Sequence, residues 1–177
     1  MRGYTGDSMV SLTNGTVDFV AGLITDNLPV GVHGRQLLRD NVVCLMRRNH
    51  PLANKNVLTL EELLAYDHLK PWFKGINDKG PLDTQLKKMD VGRFIRVETP
   101  YLLTIIRTLL CTDTICLGMA SWLPAFGTDD LASVAVPDLF DQSFAEVHLL
   151  WDERNHNDPA SQWFRQLLVD IAVEQGG

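Results

Sequence analysis

Arg39-Asp-Asn-Val-Val-Cys-Leu-Met-Arg-Arg-Asn-His-Pro-Leu52 carries, from Val42 to Met46, a short and nearly unbroken apolar run that opens on two β-branched residues. Such a run suits a strand covered on both faces, as in a parallel α/β sheet, because a half-buried strand would alternate. Arg47, Arg48 and Asn49 end it, and His50-Pro51-Leu52-Ala53 leads through a polar loop to Thr59-Leu60-Glu61-Glu62-Leu63-Leu64. Thr59 with Glu62 three residues on is a capping box, so a short helix starts there and runs over 59–66.

Upstream of that stretch, Gly6 to Gly15 holds a short helix with Asp7 as N-cap and Gly15 closing it, followed by a buried strand over Val17–Leu23. Residues 29–36 are rich in Gly and Pro and read as a surface loop. Downstream, Asp67 to Phe73 reads as a strand that Pro71 shortens or confines to an edge, and Pro81 opens a helix running to about Asp90. Arg93 to Glu98 is a strand feeding a helix with Thr99 as N-cap and Pro100 at its first position. Thr114–Leu117 is a buried strand, Ala120–Phe126 a short turn of helix and Leu131–Val136 another strand. Ala145–Trp151 is a strand before the helix that Asp158-Pro159 opens. On that helix Trp163, Phe164, Leu167, Leu168, Ile171 and Ala172 fall on one stripe, as a terminal core helix requires. Strand and helix alternate throughout, which argues for a mostly parallel sheet with right-handed crossovers.

Three blocks of sequence resemble the effector-binding domain of LysR-type transcriptional regulators: "SLTNGTVDFVAGLI", the Val42–Met46 strand with "HPLA" and "LTLEELL", and "LLWDERNHNDPASQWFRQLLVDI". The last is similar to the subgroup that includes regulators of nitroaromatic, naphthalene and lindane degradation and of nodulation. The resemblance implies an α/β, two-lobed domain like the type II periplasmic binding proteins. Residues 1–41 and 146–177 would form lobe I, and 42–145 lobe II. In that family a strand, a long helix and a second strand precede the part matched here, after a winged helix-turn-helix and a linker helix. On this resemblance the chain is N-terminally truncated and lobe I is incomplete.

The totals exclude several classes. A chain of 177 residues with 45% hydrophobic content is globular in composition, and a net charge of −6 with no concentrated basic patch disfavours a large nucleic-acid surface. Lys87, Lys88, Arg93 and Arg96 are interrupted by Asp90 and read as a solvated face. Cys44, Cys111 and Cys116 are odd in number and sit inside apolar runs, as reduced thiols of a cytoplasmic protein do. No apolar run is long enough to span a bilayer and no signal-peptide pattern is present, so no membrane partner is expected.

Catalytic and metal chemistry have little to stand on. The five histidines, at 33, 50, 68, 148 and 156, have no metal-ligand spacing with each other or with the cysteines, and no metal or cofactor is expected. His156 and Asp158 could pair as acid and base, but Asp158 reads more simply as a helix cap. Gly118-Met-Ala-Ser121 is not a nucleophile elbow. The expected function is therefore ligand sensing without catalysis, the alternatives being a stand-alone solute-binding protein of the same fold or a small α/β hydrolase or transferase.

The helix N-terminus at Thr99-Pro100-Tyr101 offers free N–H groups, a hydroxyl and a phenol, which suit a small carboxylate or phenolate. The family resemblance implies the same place: the residues after this strand line the inter-lobe cleft and map to Thr99, Pro100 and Tyr101. The loop after 17–23 adds Ile24 and Thr25, and the end of the 68–73 strand adds Phe73 and Lys74. Met119 stands where the family usually has a Pro, which alters one wall of that cleft. The resemblance further implies a small aromatic or carboxylate effector, DNA contacts only through a helix-turn-helix that this chain lacks, and homo-oligomerisation of the full-length protein.

Overall fold

The computed structural model describes residues 6–23, 28–71, 81–127, 129–137 and 144–176. The chain divides into two compact units, Met1–Arg39 with Glu146–Gly177, and Asp40–Ala145.

The first unit holds α1 (Gly6–Thr13), β1 (Phe19–Leu23), the start of β2 (Val32–Arg47), most of β7 (Phe144–Asp152) and α6 (Pro159–Gly176). β7 lies between β1 and β2, antiparallel to β1 with Phe19 opposite Trp151. Leu12, Val32 and Leu150 form the buried centre, with Met9, Val20 and Leu28 packed on it. Asp7 lies inside α1 rather than capping it. Gly15 has φ +83°, and Arg154 donates to the carbonyls of Thr13 (3.1 Å) and Leu12. A cation thus meets the C-terminal carbonyls of α1, where the helix dipole favours it.

The expected loop over 29–36 covers only its first residues. The Val32 N–H turns back to the Pro29 carbonyl (3.1 Å), Gly31 takes φ +82°, and β2 starts at Val32. Gly and Pro content marks the turn but says nothing of where pairing resumes. Val32 is buried, and burial decides that.

The second unit adds α2 (Leu60–Leu64), β3 (His68–Pro71), α3 (Pro81–Lys88), β4 (Ile95–Thr99), α4 (Leu102–Cys111), β5 (Ile115–Met119), α5 (Trp122–Ala125) and β6 (Leu131–Ala135). Its strand order is β6-β2-β5-β3-β4. β3 runs parallel to β4 and β5, whereas β2 runs antiparallel to both β5 and β6. The sheet is therefore mixed, not mostly parallel. Alternation of strands and helices correctly implies the βαβ units, but it cannot show that β2 enters this sheet against their direction. Pro71 does not place β3 at an edge, for β3 lies between β5 and β4; the last two residues of the expected strand, 72 and 73, lie outside the described residues.

Double-sided burial of the Val42–Met46 run holds. Cys44, Leu45 and Met46 are all fully buried, and Cys44 and Met46 join one cluster with Leu52, Leu63 and Ile115. Leu45 joins another with Leu69, Ile105, Leu109 and Cys116. Alternate residues of β2 and β5 feed the two clusters, as the period of a strand requires. The capping box is present: the Glu62 N–H donates to the Thr59 hydroxyl (3.2 Å) and the Thr59 N–H to the Glu62 carboxylate (3.0 Å).

His50 explains the His-Pro-Leu-Ala turn. Its Nδ1 accepts from the Leu52 N–H (3.1 Å), its Nε2 contacts the Asp113 carbonyl (3.2 Å), and its ring packs on Tyr66. Burial holds this imidazole below the usual histidine range, as a ring that must present a lone pair to a backbone N–H requires. The residue is structural.

α6 departs from expectation in which face it buries. Ser161, Arg165 and Val169 are buried with Phe164, Leu168 and Ala172 beside them, while Trp163 (66% exposed), Leu167 and Ile171 form an exposed ridge. Both stripes fit a helical period, so periodicity alone could not choose between them. Arg165 decides it: its guanidinium donates to the carbonyls of Asn155 (2.9 Å) and His156 (2.8 Å) and lies 4.4 Å from the Trp151 ring centre.

Candidate effector site

β3, β4 and β5 run in the same direction, and pairing of Pro71 with Thr99 brings their C-terminal ends to one edge of the second unit's sheet. Thr99 ends β4 and Met119 ends β5, with β3 between them. Two inter-strand spacings put them about 10 Å apart. Open α/β sheets bind ligands at this end because helix N-termini point there.

Thr99 does not cap α4. It is the last residue of β4, Pro100 is an exposed bend, and Tyr101 is the N-cap with φ −100° and ψ 113°. The reason lies in Pro100. A residue before proline is pushed towards extended backbone, and here Thr99 simply continues the strand. The Thr99 hydroxyl instead accepts the Tyr101 N–H (3.2 Å), and the Thr99 residue is 6% exposed. The Tyr101 carbonyl accepts from both Thr104 (3.0 Å) and Ile105 (3.2 Å). That leaves Leu102 and Leu103 as the first-turn residues whose N–H groups have no acceptor within the helix.

The Tyr101 ring is 70% exposed, and Leu102 and Leu103 are exposed beside it, while Ile105 and Leu109 anchor the other face of α4 in the core. The corner thus joins a rigid strand end, two backbone donors, a phenol and an apolar surface. Such a set can hold the carboxylate of a small ligand and pack against its ring or carbon skeleton. Leu102 and Leu103 were not singled out from the sequence. The signal for Leu103 was available, since it is out of phase with Ile105 and Leu109 and must face outward; Leu102 is in phase with them and is exposed as the first residue of the helix.

Met119 pairs with Val42 and is half-buried. The turn after it is tied to β2, since Ala120 donates to the Asn41 carbonyl (2.9 Å) and Ser121 to the Asp40 carboxylate (3.0 Å). Gly118 is required there, because a Cβ would lie 2.7 Å from the Trp122 ring and 2.8 Å from Leu45. Ile24, Thr25, Phe73 and Lys74 lie outside the described residues. A lysine the sequence reading passed over, Lys70 on β3, sits 3.5 Å from Asp83 and 3.6 Å from Glu98.

Behind the sheet edge is a buried polar relay. Arg93 donates to Asp83 (2.8 Å) and to His68 Nδ1 (3.0 Å), and His68 Nε2 donates to the Leu63 carbonyl (2.8 Å). His68 is fully buried, and burial together with the Arg93 charge pushes its imidazole down to about 4. Burial alone would raise the Asp83 carboxyl, but Arg93 and Lys70 outweigh it and hold it below the usual range. The relay ties α3 and the segment leading into β4 to β3 and α2. Two open hollows of about 330 Å³ and about 470 Å³ occur in this unit, one lined by Asp83, Leu86 and Arg93 and the other by Tyr66, Arg96 and Asp113. Neither includes Thr99, Tyr101 or Met119. Among the described residues no cluster of three or more side chains fit to hold a metal occurs, and no helix is long and apolar enough to cross a membrane.

Comparison with known proteins adds the family. The HTH-type transcriptional activator NahR of Pseudomonas putida is 33% identical over 171 residues, covering 94% of this chain and 54% of that protein. The chain therefore spans about half the length of such a relative. The regulatory domain of MexT, a transcriptional activator of Pseudomonas aeruginosa, superposes with a TM-score of 0.73 at 25% identity over 92% of this chain and 76% of that one. The effector binding domain of QuiR in complex with shikimate shares the fold alone, with a TM-score of 0.75 at 14% identity over 99% of this chain and 81% of that one. The LysR substrate binding domain matches residues 3–172. With a family match across nearly its whole length and regulatory domains of that family sharing its fold, the chain belongs to the LysR substrate binding domain family.

Proposed function

We infer that this chain senses a small ring-bearing carboxylate or phenolate at the β4–α4 corner and passes the binding event to DNA-binding segments supplied outside these residues. The observation that carries the reading is the corner itself: the free N–H groups of Leu102 and Leu103 beside the exposed Tyr101 phenol, mounted on a strand end that the core holds rigid. Family membership supports it, as does the shikimate carried by the effector domain of QuiR, a ring carboxylate. Thr99 serves by fixing Tyr101, and Met119 forms a neighbouring wall; Ile24, Thr25, Phe73 and Lys74 complete the proposed set.

The two compact units are read as the two lobes of the fold, 1–41 with 146–177 and 42–145. Ligand sensing needs a differential affinity for two arrangements of such lobes, and no catalytic turnover. A cytoplasmic location follows from regulation of transcription. Homo-oligomerisation of the full-length protein is supported by the exposed ridge of Trp163, Leu167 and Ile171.

Calorimetric titration with benzoate, salicylate, shikimate and short dicarboxylates tests the reading. A charge-assisted hydrogen bond is worth roughly 1.5–3 kcal/mol, so Tyr101→Phe weakens the ligand that binds by about ten- to a hundred-fold. Equal affinity in wild type and variant counts against a role for the phenol.

A further inference from the structure

The first unit contains a cluster that neither the fold nor the proposed site uses. The rings of His33, the second residue of β2, and His156, in the turn before α6, stack with centres 4.1 Å apart and planes 27° apart. Trp151 of β7 lies nearly parallel to both, at 5.9 Å from His33 and 6.2 Å from His156. His33 Nε2 is paired with the Glu153 carboxylate. Trp151 Nε1 donates to His156 Nδ1 (3.2 Å).

We propose that the His33–His156 stack is an acid-sensitive latch, which holds the turn before α6 to the Trp151 indole of β7 while His156 is neutral and lets go when His156 takes up a proton.

A proton taken up by His156 goes to Nδ1, because that atom presents the free lone pair to the indole. The acceptor then becomes a donor facing a donor, and the bond to Trp151 is lost. With His33 also protonated against Glu153, two like charges face each other across the stack.

Among the described residues one carboxylate, Glu153, faces both rings, and a single carboxylate does not balance two protons. Glu153, in the 3-10 turn Glu153–Asn155, is taken by His33, whose hydrogen bond holds this carboxyl below the usual glutamate range. Asp152 of β7 is bonded to the Arg154 N–H (3.1 Å) and lies 3.6 Å from its guanidinium. Asp158 accepts the Ser161 N–H (2.8 Å) at the start of α6. From α6 itself the group facing His156 is a cation, Arg165, bonded to the His156 carbonyl (2.8 Å). Arg35 on β2 is held by Gln166 (3.2 Å).

Opening releases the turn before α6 from the Trp151 indole and leaves the His33–Glu153 pair and the backbone bond from the Glu153 N–H to the Gly31 carbonyl (2.8 Å) in place.

The test is a pH series on the nitrogen-labelled chain from about pH 8 to about pH 5.5, across the range where imidazoles take up protons, read at the tryptophan indole signals. The expected result is that the Trp151 indole signal leaves its hydrogen-bonded position as the pH falls, while that of Trp122, packed in the other unit, stays in place. His156→Gln keeps an acceptor for the indole without a titrating ring, and there the Trp151 signal holds still. His33→Gln removes the like charge that opposes protonation of His156 and shifts the transition to higher pH. A Trp151 signal that does not move in the wild-type chain overturns the proposal, as does one that moves equally in His156→Gln. Should His156→Gln not fold, the wild-type series and His33→Gln decide it alone, since an unshifted transition in His33→Gln also overturns it.

Discussion

His68 turns the buried relay of the second unit into a measurable dependence of stability on pH. The ring accepts from Arg93 at Nδ1 and donates to Leu63 from Nε2, so only the neutral form satisfies both partners. Its folded value, about 4, lies below the ordinary value near 6.5 that it takes when the chain unfolds. The sign follows from proton counts. Above about pH 6.5 neither state holds the proton; between about 6.5 and 4 the unfolded state binds it and the folded state does not, so stability falls as the pH falls. Below about pH 4 both bind it and the loss stops growing. With one pKa unit worth 1.36 kcal/mol, His68 removes about 2 kcal/mol between about pH 7 and about pH 5, and about 3 kcal/mol in all. The group is fully buried, so solvent screening does not reduce this figure. Urea unfolding of wild type and His68→Gln, followed by circular dichroism at both pH values, isolates the contribution. The variant is less stable at pH 7 but loses about 2 kcal/mol less on acidification. An identical loss in both proteins refutes the assignment of that pH dependence to His68.

Further outcomes follow from packing and exposure. Gly118→Ala places a methyl group against Trp122 and Leu45, and such overpacking costs about 1–3 kcal/mol, read as a lower urea midpoint. A thiol reagent labels Cys111 rapidly and leaves Cys44 and Cys116 unlabelled until the chain is denatured. Burial raises both inner thiols, Cys116 to about 12, whereas Cys111 is exposed. Rapid labelling of all three thiols in the native chain would contradict the buried β2–β5 pairing.

The legible parts of the fold were those where local chemistry and burial agree. Thr59 and Glu62 announce α2 because both bonds of the capping box are made within four residues. The Val42–Met46 run announces burial on two faces, which is what the two clusters show. Strand direction was not legible, since nothing in the apolar run of β2 records that its neighbours β5 and β6 run the other way. Thr99-Pro100 was legible as a strand-to-helix corner but not in its roles. Threonine before proline carries the signature of a cap, yet the restriction that proline places on Thr99 keeps it in the strand and moves the cap to Tyr101. On α6, Trp163 and Arg165 exchange the places that hydrophobicity alone would assign, because the guanidinium finds two carbonyls and an indole to satisfy it.

The claim that the β4–α4 corner is the effector site is tested most directly by mapping amide shifts while the nitrogen-labelled chain is titrated with whichever of benzoate, salicylate or shikimate binds it. The account predicts that the largest changes fall on the amides of Tyr101, Leu102, Leu103 and Thr104, with Met119 and Ala120 next, and that the Leu102 and Leu103 amides move as N–H groups acquiring an anionic acceptor. Saturable binding whose changes gather elsewhere, with Tyr101 to Thr104 unmoved, would contradict it.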